Sequence, residues 1–287
     1  MRKIFYLLLS ILVISACTNA NPEDKEKEKF IDNLMAKMTL EEKAGQMNQY
    51  NGFWDATGPM PEGDYQKKRY EELKNGQVGS MLNVIGVDQI RALQKIAVEE
   101  TRLGIPLIFG HDVIHGYKTI FPIPLAESCS WDLELMQKSA RVAATEASAD
   151  GLQWTFAPMV DISRDARWGR VMEGAGEDPF LGSLVAQARV SGFQGVNLSD
   201  VNTIIGCAKH FAGYGFSEAG RDYNTADFNE YTLHNSIMPP FKAAVDAGVR
   251  TFMNSFNTID EIPATGHTNI QRKILKGDWN FDGFIVS

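Results

Sequence analysis

The sequence has few cysteines, no excess of positive charge and no apolar run long enough to cross a membrane. Its three cysteines, Cys17, Cys129 and Cys207, are too few for a disulfide framework, and we expect Cys129 and Cys207 to be buried thiols. The formal net charge is -8, and it would become -10 after removal of Arg2 and Lys3. This balance gives no support for a nucleic-acid partner, and a neutral or weakly charged substrate is the natural expectation.

An apolar run at the amino terminus predicts a secretion signal. Two basic residues precede Ile4–Ser15, which is too short to span a bilayer but long enough for the core of a signal peptide. The tetrapeptide that ends at Cys17, Ile-Ser-Ala-Cys, resembles a bacterial lipobox; an ordinary secretory signal with an incidental cysteine is the alternative. We therefore predict a lipoprotein signal peptide over 1–16, a lipid on Cys17 and a solvated tether over 17–29, rich in acids and lysines. The protein would be a periplasmic or outer-membrane lipoprotein of a bacterial envelope, touching the membrane only through its lipid.

The remaining residues, 30–287, show no low-complexity linker and no internal repeat, and strand and helix patterns alternate along them. This alternation, with nearly continuous apolar strands, predicts a parallel sheet covered by helices. A doubly wound dinucleotide fold would need a glycine fingerprint after its first strand, and none is present. Polar residues instead follow several different strands, which favours a (β/α)8 TIM-type barrel of the α/β class. A helix with apolar Phe30, Leu34, Met35 and Met38 is predicted first, and it leads to a capping box from Thr39 to Glu42. Strands are predicted to begin near Val78, Ile105, Thr155, Ile204, Val249 and Phe284, with helices over 88–102, 132–149, 181–194, 227–247 and 269–278.

The last predicted strand stops at Ser287 with no loop after it. Natural domains rarely end in this way, because the strand would lack its next neighbour. We therefore expect 30–287 to be an incomplete barrel domain, truncated after about the sixth strand.

The most heavily charged stretch lies between Trp154 and Pro179. An apolar run, Thr155 to Val160, gives way at Asp161 to a loop crowded with Asp, Arg, Trp and Glu. Burying so many charges costs several kcal/mol each unless they pair with one another or with a polar ligand. The stretch therefore predicts the wall of a polar pocket, and a purely structural network of Arg and Asp is the alternative.

Five motifs follow one another along the chain. They are HDVIHG from His111, FAPMVDISRDARWGRVMEGAGEDPFL from Phe156, AKHFAGYG from Ala208, YNT from Tyr223 and the closing DGFIVS. Together they resemble the amino-terminal barrel domain of glycoside hydrolase family 3, and most of all its bacterial periplasmic β-glucosidase branch. The resemblance implies hydrolysis of terminal β-D-glucosyl residues, with a β-glucoside or a short β-linked oligosaccharide as substrate and no cofactor.

The resemblance also implies which residues bind the sugar. Asp112, Arg170, Lys209 and His210 match the family positions that clamp the hydroxyls of the terminal sugar, although Lys209 and His210 could instead form a satisfied core pair. Charged side chains suit this task because their hydrogen bonds to neutral hydroxyls contribute about 1.5–3 kcal/mol each. Three residues, Arg167, Glu173 and Glu177, are expected to hold the clamp, and two others, Met253 and Phe256, to line the pocket wall.

The same resemblance implies that neither catalytic carboxylate lies in these 287 residues. The family attacks the sugar with an Asp directly after the Val-Ser that here is Val286 and Ser287, and this branch takes its acid/base Glu from a following domain. We therefore expect this chain by itself to be inactive. A non-catalytic carbohydrate-binding lipoprotein remains an alternative of a different class.

A zinc site at His111 and His115 is a further alternative. The two histidines have the spacing of a zinc-protease helix, but Gly110 and Gly116 bracket them, Asp112 replaces the required Glu, and an apolar strand leads into them. The sequence therefore predicts no metal.

Overall fold

The computed structural model describes residues 22–52 and 63–287. The predicted signal peptide and Cys17 lie outside the described residues. The first described helix, Pro22–Lys37, begins inside the predicted tether and runs through Phe30, where the sequence pattern had predicted a helix to begin. Residues 25–29 are exposed on this helix, so these acids and lysines are solvated.

Within the described residues, seven parallel strands form the centre of the fold, and their order in space follows their order in the chain. The first four make one sheet and the last three another, with every neighbouring pair parallel. Backbone hydrogen bonds join the two sheets, from Thr155 N to Ile205 O (2.9 Å) and from Lys209 N to Pro158 O (3.1 Å). The strands are β1 (Gln49–Asn51), β2 (Ser80–Leu82), β3 (Ile108–His111), β4 (Trp154–Thr155), β5 (Cys207–Phe211), β6 (Thr251–Asn254) and, after a small antiparallel hairpin of β7 (Thr258–Ile259) and β8 (Ile262–Pro263), β9 (Phe284–Val286).

This topology confirms an α/β fold of TIM-barrel type but corrects the strand count. The sequence pattern missed β1, because its residues Gln, Tyr and Asn carry no apolar run and only half-buried or exposed side chains. As a result, β9 is the seventh parallel strand of the described residues and not the sixth.

Helices cover the outside of the sheet between the strands. The helices predicted between residues 88 and 278 have bounds close to those of the structure, whereas the helices Asp64–Lys74 and Pro124–Ser128 were not predicted. Thr39 and Glu42 form the predicted capping box, and Asp132 and Asp178 cap the two helices that follow them. In the part of the chain that the structure covers, no helix is both long and apolar enough to span a bilayer. The helices are α1 (Pro22–Lys37), α2 (Leu40–Gly45), α3 (Asp64–Lys74), α4 (Val87–Lys95), α5 (Pro124–Ser128), α6 (Leu133–Ala149), α7 (Pro179–Gln194), α8 (Glu230–Thr232) and α9 (Met238–Asp246), with π-helical segments at Ile96–Glu100, Leu233–Ile237 and Asn269–Asp278.

The barrel interior is filled by a compact apolar cluster. Trp154, Phe156 and Cys207 are its buried members, and side chains from β2, β3, β6 and β9 pack against them. The Trp154 indole Nε1 donates to Thr251 Oγ1 across this interior at 2.8 Å, which satisfies its buried polar group. Cys207 is therefore a buried thiol as predicted, whereas the prediction for Cys129 is wrong, because that thiol is exposed.

Candidate sugar-binding site

The predicted clamp residues come from the carboxyl ends of neighbouring strands. Asp112 directly follows β3, Lys209 and His210 lie in β5, and Arg170 lies in the long loop after β4. In a parallel barrel these strand ends face the same mouth, which is where such folds assemble their sites. The structure brings these residues together.

A bulge in β5 sets the direction of its two polar side chains. Lys209 pairs with Met253 and Phe211 with Asn254, so His210 is an extra residue between two successive pairs of the ladder. Such a bulge re-aims side chains that would otherwise alternate between the two faces of the strand. Lys209 and His210 are each only 1% exposed.

Four charged side chains form an ionic chain, in which negative and positive groups alternate. Lys209 Nζ lies 2.7 Å from Asp112 Oδ2 and 3.9 Å from Glu173 Oε2. Glu173 in turn accepts two hydrogen bonds from Arg170, at 2.6 Å from Nε and 2.8 Å from Nη2. Glu173 therefore lies within ion-pair distance of both cations.

The neighbouring cations favour the ionised form of Glu173. Burial alone would raise the pKa of the Glu173 carboxyl, but the hydrogen bonds and charge of Arg170, with the charge of Lys209, lower that pKa overall. Asp112 is the exposed end of this ionic chain, with 44% of its side chain accessible to solvent. A ligand arriving from solvent can therefore reach the carboxylate of Asp112.

His210 is fixed by Asp161, a residue that the sequence analysis did not select for the site. One oxygen of Asp161, Oδ2, accepts from both the backbone N–H and the Nδ1–H of His210, each at 2.8 Å. Burial lowers the pKa of His210, although Asp161 acts in the opposite direction. The imidazole is thus neutral with its proton on Nδ1, which leaves Nε2 as a hydrogen-bond acceptor.

Aromatic rings form a wall beside His210. The Phe256 ring lies 5.3 Å from the rings of His210 and Tyr214, and 5.2 Å from the ring of Tyr223. Phe256 is 40% exposed, so part of its ring faces solvent. Met253, the other predicted wall residue, packs against the apolar cluster inside the barrel.

Two predicted helper residues do not join the clamp. Arg167 is 72% exposed and pairs with Asp165 at 2.6 Å. Glu177 is also exposed, and among the described residues it makes no ion pair with the clamp. These two charges lie on the outside of the same loop, so the expectation that they hold the clamp finds no support in the contacts.

The sequence analysis missed a set of supporting residues around Tyr214. This tyrosine is fully buried, and its ring packs 5.1 Å from that of Trp168, whose Nε1 donates to Asp222 at 3.0 Å. Burial, and then the neighbouring Asp222 carboxylate, raise the pKa of Tyr214, so its hydroxyl stays protonated. The signals were present, since Asp161 directly follows a buried strand and Tyr214 lies within the AKHFAGYG motif.

The histidine pair at 111 and 115 does not have the geometry of a zinc-protease helix. His111 ends β3, where its Nδ1 lies 2.9 Å from Asn83 Oδ1, and His115 Nδ1 lies 3.2 Å from Phe121 O. Over residues 22–52 and 63–287, no group of three or more His, Cys, Asp or Glu side chains is arranged to hold a metal ion.

A barrel of parallel strands with charged and aromatic side chains at its carboxyl-terminal mouth has the architecture of an enzyme barrel that binds a polar small molecule. Residues 39–287 match the family described as the glycosyl hydrolase family 3 N terminal domain. The chain belongs to this family.

Relatives of known activity agree with this assignment. The chain is 40% identical to a periplasmic beta-glucosidase of Salmonella typhimurium over 91% of its own length and 33% of the relative's. It is 34% identical to a beta-xylosidase of Formosa agariphila, over 77% of this chain and 32% of that one. A crystal structure of beta-glucosidase from Listeria innocua in complex with glucose matches with a TM-score of 0.81 and 40% identity, covering 90% of this chain and 37% of that one. The chain thus spans about a third of the length of these relatives.

Proposed function

We propose that the complete protein hydrolyses terminal, non-reducing β-D-glucosyl residues with retention of configuration, and that this chain supplies the pocket for the glucosyl unit. The observation that carries the proposal is the ionic chain of Asp112, Lys209, Glu173 and Arg170 beside His210. Its support from relatives is the similarity to a periplasmic beta-glucosidase and to a beta-glucosidase structure that contains glucose.

The chemistry of the clamp suits a neutral polyol. A hydroxyl group both donates and accepts, so it needs acceptors such as Asp112 Oδ and His210 Nε2 as well as donors such as Lys209 Nζ and Arg170. Each charge-assisted bond of this kind contributes about 1.5–3 kcal/mol. Because the cations and anions of the clamp already neutralise one another, a neutral sugar can replace water without leaving a buried charge unpaired.

The aromatic wall suits the less polar face of the ring. Small-molecule pockets combine apolar and aromatic walls with a few convergent polar groups. Phe256 supplies such a wall next to His210. We propose that one face of the pyranose lies against this ring while its hydroxyls reach the charged side chains.

The bond-breaking groups of a retaining glycosidase are two carboxylates, one a nucleophile and one an acid/base. We propose that the nucleophile is an Asp that follows Ser287 in the complete protein, at the end of β9. The acid/base would be a Glu from a further domain. Asp112 would not replace the nucleophile, because its carboxylate is held by Lys209 at 2.7 Å.

The test is a hydrolysis assay with the complete protein. We expect release of glucose from an aryl β-glucoside but not from the matching α-glucoside, with β-glucose as the first anomer seen by NMR. Absence of hydrolysis, or α-glucose as the first product, would contradict the proposal. Glucose binding without hydrolysis of any β-glucoside would instead support a non-catalytic carbohydrate-binding lipoprotein.

We also propose that the protein is a lipoprotein of the cell envelope, with Cys17 as the lipidated residue. The lipobox-like Ile14–Cys17 supports this, as does the name of the periplasmic relative. We expect bacteria fed a labelled fatty acid to label the wild-type protein but not Cys17→Ser. Equal labelling of the two would refute the assignment.

A further inference from the structure

A buried ion pair lies outside the clamp and joins two helices of the barrel. Arg189 in α7 places its Nη1 2.6 Å from Glu127 Oε2 in α5, and the two side chains are only 4% and 7% exposed. The pair links positions 62 residues apart in the chain. It takes no part in the ionic chain around Lys209.

The same guanidinium also reaches the loop that carries Asp112. Arg189 Nη2 donates to the backbone carbonyl of Ile114, two residues after Asp112. The residue between them, Val113, is fully buried, and its N–H donates to Thr155 Oγ1 at 3.1 Å. The loop after β3 is therefore held on one side by β4 and on the other by α7.

Stability alone does not account for this pair. A buried salt bridge costs so much desolvation that well-packed apolar residues often replace it without loss. The third nitrogen of the Arg189 guanidinium, Nε, has no hydrogen-bond partner among the described residues, so the guanidinium is not fully satisfied. Its polar contacts are those with Glu127 and with the Ile114 carbonyl.

We infer that Arg189 and Glu127 are positioning residues. They hold the loop after β3 in the position that keeps Asp112 next to Lys209. Glu127 orients the guanidinium, and the guanidinium fixes the Ile114 carbonyl. Asp112 is thereby kept 2.7 Å from Lys209 Nζ even though nearly half of its own side chain faces solvent. This inference rests on the proposed function, in which Asp112 accepts hydrogen bonds from the sugar.

The main test is the double variant E127L/R189M in the complete protein. It exchanges the pair for apolar side chains, so we expect a melting temperature close to that of the wild type. Either single variant, E127L or R189M, leaves one buried charge unpaired and should lower the melting temperature. Glucose affinity, measured by calorimetry, should fall about 10- to 100-fold in the double variant, since small misplacements of a binding group have effects of this size.

The matched control is R102M. Arg102 also bonds a glutamate, Glu42, and a backbone carbonyl, that of Lys37, but it lies in a different part of the fold and 55% of its side chain is exposed. We expect wild-type glucose affinity in R102M. A double variant that melts and binds glucose like the wild type would overturn the inference.

Two further results complete the test. If the double variant does not fold, the glucose affinity of R189K tests the inference instead. Its ammonium cannot hold both Glu127 and the Ile114 carbonyl as the planar guanidinium does. Reduced affinity in folded R189K supports the inference, and unchanged affinity overturns it. Failure of the wild type to bind glucose would instead count against the proposed function, so the two failures are distinguishable.

Discussion

Replacing Lys209 by alanine should lower kcat/KM of the complete protein for an aryl β-glucoside by about 10²–10³-fold, the size of effect seen when one preorganised hydrogen-bond donor is removed from an active site. The fold should persist, because Asp112 is half exposed and can be hydrated, and Glu173 keeps its two bonds to Arg170. The measurements are steady-state kinetics and thermal unfolding of the variant beside the wild type.

The chain offers a closely matched control for this variant. Lys118 forms a pair with Asp150 at the same distance, 2.7 Å, but its side chain is 63% exposed, against 1% for Lys209. Exposed pairs contribute little, so Lys118→Ala should leave the kinetics unchanged. Near-normal activity in Lys209→Ala, or an equal loss of activity in both variants, would contradict the assignment of Lys209 to the sugar clamp.

Replacing Asp161 by alanine should lower the free energy of unfolding by about 2–6 kcal/mol, because two buried N–H groups lose their acceptor and each costs about 1–3 kcal/mol. Those groups are the backbone N–H and the Nδ1–H of His210. Sugar binding should weaken as well, since the imidazole loses the contact that fixes its tautomer.

Asp161→Asn tests whether the hydrogen bonds to His210 account for the lost stability. The amide oxygen can still accept from the backbone N–H and the Nδ1–H of His210, so the variant should lose much less stability than Asp161→Ala in a urea titration. Equal unfolding midpoints for alanine and wild type would show that Asp161 does not hold His210.

Of the residues that the sequence selected, Asp112, Arg170, Lys209 and His210 lie together in the structure, whereas others do not. These four lie in motifs at strand ends, and parallel strands bring such ends together whatever the detailed packing. Arg167 and Glu177 lie in the same charged loop, but Arg167 turns outward to its neighbour Asp165. Residue type and spacing cannot distinguish the inner from the outer side of a long loop.

Other features escaped the sequence analysis for physical reasons of their own. The strand Gln49–Asn51 is three residues long and polar, so no apolar periodicity marks it. The contact between Glu127 and Arg189 depends on the packing of two helices, which local patterns do not encode. In contrast, the capping box at Thr39 and Glu42 is a local signal, and the structure confirms it.

A crystal structure of the complete protein with bound glucose is the most direct test of the claim that these side chains surround one pyranose ring. We expect hydroxyl oxygens of the glucose within hydrogen-bond distance of Asp112, Arg170, Lys209 and His210, and one face of the ring against Phe256. Glucose bound elsewhere, with these four charged and polar side chains contacting only each other and Asp161 or Glu173, would contradict it.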